Sequence, residues 1–245
     1  MQEAVEAGVR VDRYERWAHV ELANPGRLNC MSLAMWGALE AAARELSRAD
    51  GLRVVVLSGA DGHFTSGFDL GELVDQSIDE VNLAFARMEA AIGAVEAIPV
   101  PVIAWLDGWC LGGGLELALA ADLRWASPRV RIGMPVAKLG IMLSATFARR
   151  LVLAMGEAVA KDLLYTARSL PAAEALQAGV VSRILEPDAF GQARDAFIRS
   201  VARLYPRAVA QAKTSVGRTM PAPEDRTAYY VDAEDFRRAV AQFRR

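Results

Sequence analysis

PVIAWLDGWCLGGGLELALAADLRWASP, residues 101–128, is the stretch on which the reading of this chain turns. An apolar, strand-like run over 101–106 enters a turn at Asp107 and Gly108, and Gly112, Gly113 and Gly114 then lead into a helical pattern over 115–121. The order is strand, glycine turn, helix start. Glycine lets another group approach the backbone closely. The first N–H groups of a helix have no partner within it, and the helix dipole adds positive potential, so a partly negative oxygen is favoured there. Gly113 is therefore a candidate donor through its backbone N–H, with Gly112 beside it. One helical step later Glu116 sets a carboxylate, a candidate acid or base, in an otherwise apolar helix. A glycine cluster can equally serve to pack a helix on a strand, and a glutamate can face water. These residues alone leave both readings open.

A second stretch of the same character, GADGHFTSGFDLGEL over 59–73, follows the β-branched run VVVLS at 54–58. Gly67, Phe68 and Asp69 fall just before a helical pattern, so the N–H of Phe68 is a second candidate donor. Two donors from separate loops can clasp one oxygen, the geometry that stabilises an oxyanion. Asp69 reads better as a helix N-cap than as a catalyst. His63 lies in the turn and titrates in the neutral range, but reads as a surface residue.

Composition narrows the classes. The chain has 245 residues, 53% of them hydrophobic, enough for one large domain or two small ones with a substantial core. Its 28 basic and 30 acidic residues nearly cancel and are dispersed, so no nucleic-acid footprint and no membrane-surface patch is expected. Cys30 and Cys110 are isolated and read as small buried hydrophobes, with no metal site or disulfide framework. With no leader-like N-terminus and no run of the ~18–20 apolar residues that cross a bilayer, a soluble cytoplasmic protein is expected.

The rest of the chain reads in order. Alternation over 9–23 predicts a hairpin with Val9, Val11, Ala18, Val20 and Leu22 on one face and His19 on the other, towards the surface. Ser32 caps a predicted helix bearing Met35, Trp36, Leu39, Ala43 and Leu46, and residues 54–58 form a strand covered on both faces. A helix over 84–97 breaks at Gly93. Strands are expected at 122–127, 130–132 and 180–185, with Asp122 and Arg124 as an ion pair. Residues 138–144 read as a loop, and 146–155, 158–166, 171–178, 190–204, 208–216 and 224–243 as helices. Strands alternate with helices early and helices dominate late, with the change near Gly156.

With both glycine loops in view, the chain resembles the crotonase (enoyl-CoA hydratase and isomerase) superfamily along nearly its whole length. PGRLNCM matches the family's early loop, VVVLSGADGHFTSGFDLGEL its first oxyanion loop, DGWCLGGGLELALAADLRWAS its central glycine motif, and GRTMPAPEDRT onward its C-terminal helices. The resemblance implies an α/β fold, a spiral of strand-strand-helix turns over 1–185 followed by a C-terminal helical region, 186–245, that assembles trimers or pairs of trimers. It implies acyl thioesters of coenzyme A or of an acyl-carrier protein as substrates, without a prosthetic group or metal. Phe68 and Gly113 take the positions of the two carbonyl-polarising amides, and Glu116 that of one of the two hydratase acids. Ser66, Gly67, Asp69, Leu70 and Gly112 become candidate substrate contacts in the glycine loops. Val136, Leu139 and Ser144 join them from the segment after the second strand pair. Arg27, Arg244 and Arg245 are candidate phosphate contacts, and Met31, Trp109, Met142, Leu143 and Phe147 candidate walls for the acyl group.

The chain departs from the pattern in two places. The second hydratase glutamate is replaced by Val136 in Met134-Pro135-Val136, and Leu143-Ser144-Ala145-Thr146-Phe147 stands where many members read Pro-Gly-Ala-Gly-Gly. Ser144 falls where dienoyl-CoA isomerases and aryl-CoA dehalogenases carry an aspartate. The reading is then a hydratase- or isomerase-like enzyme in which Glu116 handles the proton, with water or Ser144 as helper. A thioester decarboxylase or hydrolase, and a thioester-binding protein with little catalysis, are the alternatives.

Overall fold

A computed structural model describes residues 6–218 and 233–241. The expected hairpin is formed by β1 (Gly8–Arg13) and β2 (Trp17–Ala23), antiparallel with Val11 opposite Val20. Parallel to β2 run, in turn, β3 (Val54–Gly59), β4 (Val102–Leu106), β6 (Leu123–Ala126) and β9 (Arg183–Ile184), giving a six-stranded sheet ordered β1-β2-β3-β4-β6-β9. A second sheet, ordered β5-β7-β8, is built from three-residue strands: β5 (Trp109–Leu111), β7 (Arg131–Gly133) and β8 (Ser169–Pro171). Two single bridges extend it, Thr65 with Cys110 and Met31 with Phe68.

The connections make the spiral. Each turn gives a strand to the large sheet, an extended segment to the second layer, and then a helix. β3 leads through residues 65–68 to α2 (Ile78–Glu96), β4 through β5 to α3 (Gly113–Ala120), and β6 through β7 to α4 (Ala145–Thr166). Before β3, α1 (Leu33–Leu46) is capped by the Ser32 hydroxyl, which accepts from the Met35 N–H. After α4 come α5 (Ala172–Gln177), α6 (Pro187–Ala202), α7 (Pro206–Arg218) and α8 (Ala233–Val240).

Burial explains the sequence pattern of the strands. Val55 and Leu57 of β3 face the main core with Trp36, Leu39, Ile92 and Leu115. Val54 and Val56 face the other way, into a smaller cluster where α6 lays Ile198 and Val201 against Ile103 and Trp125. A strand covered on both faces needs apolar residues at every position, hence VVVL without alternation. Phe236 and Val240 of α8 belong to the main core, as do Met155 and Ala160 on either side of Gly156, so the core runs through the change in pattern at that residue.

Several expectations are corrected. The helix expected over 84–97 starts earlier, at Ile78, where Ser77 and Glu80 form a capping box, and it continues through Gly93 without a break. Gly93 costs only about 1 kcal/mol relative to alanine, and the flanking Ile92 and Val95 are buried. The helices expected at 146–155 and 158–166 meet at a kink where Gly156 has φ 75°. The strand at 180–185 shrinks to β9, and β5 and β8 are strands where none is expected, with Pro171 ending β8 rather than opening the helix. Asp122 and Arg124 do not pair: Asp122 accepts from Val102 N and from Lys213 Nζ at 2.8 Å, and Arg124 donates to the carbonyls of Val180 and Ala121. His19 is part-buried, hydrogen-bonded to Ser58 Oγ at 2.8 Å, and His63 accepts from Trp109 N at 3.2 Å, so neither is a bare surface residue. Of the helix expected over 224–243, residues 233–240 are α8; residues 224–232 and 242–243, with Arg244 and Arg245, lie outside the described residues. No described helix is long and apolar enough to cross a membrane.

Candidate active site

The two glycine loops meet. Leu111 N donates to Thr65 O and Thr65 N to Trp109 O, which lays residues 64–66 along β5. At Gly67 the backbone turns with φ 92°, and its carbonyl accepts from Met31 N at 2.8 Å on the opposite side. In a trans peptide the C=O and the following N–H point in opposite directions. The Phe68 N–H is therefore directed away from Met31. A Cβ at Gly67 would lie 2.7 Å from the Leu111 carbonyl oxygen and 2.9 Å from the Gly113 nitrogen. Only glycine lets the loops touch here. At Gly114 an added Cβ would lie 2.6 Å from the Thr65 carbonyl oxygen.

The same argument places the second amide. Gly112 O accepts the first helical bond of α3 from Glu116 N, so the N–H of Gly113 on that peptide points out of the helix N-terminus. Phe68 and Gly113 both line one cleft of about 610 Å³, counting its open mouth. Neither N–H has a protein acceptor among the described residues. Two unpaired amides on one wall, one of them at a helix N-terminus, are suited to an oxygen that gains negative charge.

Glu116, one turn into α3, lines the same cleft and is 1% exposed. Neither carboxylate oxygen has a hydrogen-bond partner among the described residues. Burial pushes its proton affinity well above that of an ordinary carboxyl; Arg150 opposes this, and the charges of Glu89 and Glu96 add to it. A carboxyl of this kind holds its proton more tightly than an exposed one and is placed to exchange it with a group in the cleft, as acid–base catalysis requires. The remaining walls are apolar. Leu70 comes from the first loop, Phe85 and Met88 from α2, and Met134, Val136, Leu139, Ile141, Met142, Leu143 and Phe147 from the segment between β7 and α4.

The candidate contacts divide. Ser66, Leu70, Gly112, Val136 and Leu139 lie on the cleft wall with Phe68, Gly113 and Glu116. Gly67 acts behind the wall, at the contact between loops. Asp69 caps the short 3-10 helix Leu70–Leu73 through Gly71 N and binds the guanidinium of Arg27 at 2.7 and 3.0 Å, so Arg27 and Asp69 serve each other off the cleft. Ser144 also lies off the cleft wall. Its hydroxyl accepts from Phe147 N as the cap of α4 and contacts Glu89 Oε1 at 3.3 Å. Of the expected acyl walls, Met142, Leu143 and Phe147 line the cleft, Met31 is core, and Trp109 pairs with β7. Reasoning from sequence missed Phe85 and Met88, because a helical apolar stripe does not say which of its members edges a cleft. It also missed Arg150, whose burial at 6% exposure has no signal in a run of two arginines.

The model of the enoyl-CoA hydratase/isomerase family matches residues 12–244. The chain belongs to that family. Family relatives include the probable enoyl-CoA hydratase EchA17 of Mycobacterium tuberculosis, 36% identical over 188 residues, which span 77% of this chain and 72% of that protein. The probable enoyl-CoA hydratase echA8 of Mycobacterium leprae is 32% identical over 212 residues, spanning 86% and 81%. Among solved structures, an enoyl-CoA hydratase/carnithine racemase from Magnetospirillum magneticum superimposes with a TM-score of 0.83 at 29% identity, covering 91% of this chain and 85% of that one. The crotonase fold expected from the resemblance is thus the fold of the molecule.

Proposed function

We propose that this family member is an acyl-CoA thioester enzyme that forms an enolate. The thioester oxygen sits between the N–H groups of Phe68 and Gly113, and Glu116 moves the proton on the neighbouring carbons. The observation that carries the reading is a buried carboxyl on the same apolar cleft as two unpaired backbone donors. Removing a proton beside a thioester carbonyl puts negative charge on its oxygen, and preorganised donors lower that barrier; losing one typically costs ~100- to 1000-fold.

Val136 refines the reaction. Hydration places a hydroxyl on one carbon and a proton on the next, and in the family scheme two carboxylates share that work. A double-bond shift needs one: Glu116 takes a proton from the α carbon of a 3-enoyl thioester and returns it to the γ carbon, with no atom gained or lost. The single carboxylate of this cleft favours the shift over hydration. No Lys, Arg or His lines the cleft among the described residues, so a malonyl-type carboxylate finds no cation there and decarboxylation ranks lower. A purely binding protein ranks lower too, since an unpaired buried carboxyl is costly to keep without a task. The trimer and the oligomerising role of residues 186–245 belong to the same proposal; exposed Leu204 and Tyr205 before α7 support an interface there.

The test is α-proton exchange. A saturated acyl-CoA in D2O is expected to gain deuterium at its α carbon with the wild-type protein and not with Glu116→Gln. Equal exchange by both proteins would remove Glu116 from the mechanism.

A further inference from the structure

Behind Glu116, away from the substrate side, lies a chain of charges that the family comparison does not account for. Arg150 of α4 is 5% exposed in its side chain, and its Nη1 stands 4.0 Å from Glu116 Oε2, an ion pair without a hydrogen bond. Its Nη2 donates to Glu96 Oε2 at 2.7 Å, and the Glu96 side chain is 48% exposed at the end of α2. The guanidinium also lies over the ring of Phe147, 5.6 Å from its centroid, and Phe147 lines the cleft. The Nε and Nη1 of Arg150 and both oxygens of Glu116 have no hydrogen-bond partner among the described residues. Charge therefore runs from the cleft through Arg150 to a carboxylate that reaches the surface.

We infer that Arg150 is a positioning residue for Glu116: it holds the charged form of that carboxylate available inside an apolar cleft, and Glu96 holds Arg150 in place.

The geometry decides between this and a merely structural arginine. An ordinary packing arginine would be satisfied by its own partners, and Glu96 alone takes only one of its donors. Of the donors left over, Nη1 stands 4.0 Å from the carboxyl of Glu116. The other charges acting on Glu116 come from α2, where Glu89 and Glu96 both oppose ionisation, so among the described residues Arg150 is the cation in balance against burial and two carboxylates. With Val136 removing the second acid of the cleft, the proton-holding range of Glu116 decides what the site can do. Arg150 draws that range down against the burial that raises it.

The inference rests on the proposed role of Glu116, and its first test does not depend on turnover. The infrared band of the protonated Glu116 carboxyl, assigned by its loss in Glu116→Gln, is titrated with pH in the intact protein. In Arg150→Met the titration is expected to move to higher pH by a roughly tenfold or larger rise in proton affinity, and Arg150→Lys, which keeps the charge, is expected to recover most of it. A midpoint unchanged in both variants, with the fold intact by circular dichroism, would overturn the inference. If Arg150→Met does not fold, the Lys variant and Glu96→Gln carry the test: Glu96→Gln, by releasing Arg150, should lower kcat while leaving the KM for an enoyl thioester within about threefold, and a change in KM alone would overturn it. A wild-type protein without α-proton exchange but with the Arg150-dependent titration would refute the enzymatic reading and leave this inference standing.

Discussion

The two walls of the cleft are made in different ways. One is backbone: residues 64–68 and 109–114 are held edge to edge by hydrogen bonds between Thr65 and β5 and by Gly67 and Gly114, where a Cβ would be driven into a main-chain atom. The other, from Met134 to Phe147, is side chain. There Val136, Met142, Leu143 and Phe147 fill the space with apolar atoms. The difference separates what a family shares from what a member does. Backbone donors depend on the path of the chain, so any sequence that keeps the fold keeps them. Side-chain chemistry changes with a single codon, and in the proposed scheme it decides which reaction follows once the carbonyl is polarised.

Breaking the proposed acid–base side chain is expected to have the largest effect. Glu116→Gln should lower kcat on an enoyl thioester by about 10²- to 10⁴-fold with little change in KM, measured by steady-state kinetics. Breaking the backbone wall comes next. At Gly67 a side chain meets both strain, at φ 92°, and the Leu111 carbonyl. Gly67→Ala should cost about 10²- to 10³-fold in kcat through displaced donors and about 1–3 kcal/mol of stability through overpacking, read by kinetics and urea unfolding. The apolar wall is sharpened by Val136→Glu. A gain in water addition to a crotonyl thioester would show that the cleft still holds substrate in hydratase geometry, and no gain would place the acyl chain differently.

Stability should respond to pH through Glu116. The folded chain holds the Glu116 proton to higher pH than the unfolded chain, whose value is near 4.3. Between those limits the native state binds more protons, so stability falls as pH rises. Glu116→Gln lacks this loss. Its stability relative to wild type is expected to grow from about pH 4 upwards in denaturant titrations, and a constant difference would contradict the burial argument. The smallest effect belongs to Arg27→Ala. An ion pair whose arginine is 57% exposed is worth about 0–1 kcal/mol, and its removal should change kcat by less than about threefold.

Much of this was legible in the chain itself. The glycine loops, Glu116 and the doubly covered β3 could be read because each depends on local chemistry: a missing Cβ, an unpaired helix N-terminus, a run without alternation. Asp69 as a cap was legible for the same reason. What could not be read depends on partners far away in sequence. Strands of three residues such as β5 and β8 carry no period, and pairing across the second layer makes them strands. Asp122 meets Lys213, 91 positions on, where proximity in sequence suggested Arg124. Ser144 looked like a site residue by its place in the order of motifs, but its hydroxyl is turned to capping α4. Arg150 gave no sign at all, because the carboxyl it faces lies on another helix.

The most direct measurement is a crystal structure of Glu116→Gln bound to a slowly reacting enoyl-CoA. The account expects the thioester oxygen about 2.7–3.1 Å from the nitrogens of both Phe68 and Gly113, with its α carbon beside the side chain at 116. A carbonyl bound elsewhere, or held by neither amide, would contradict it.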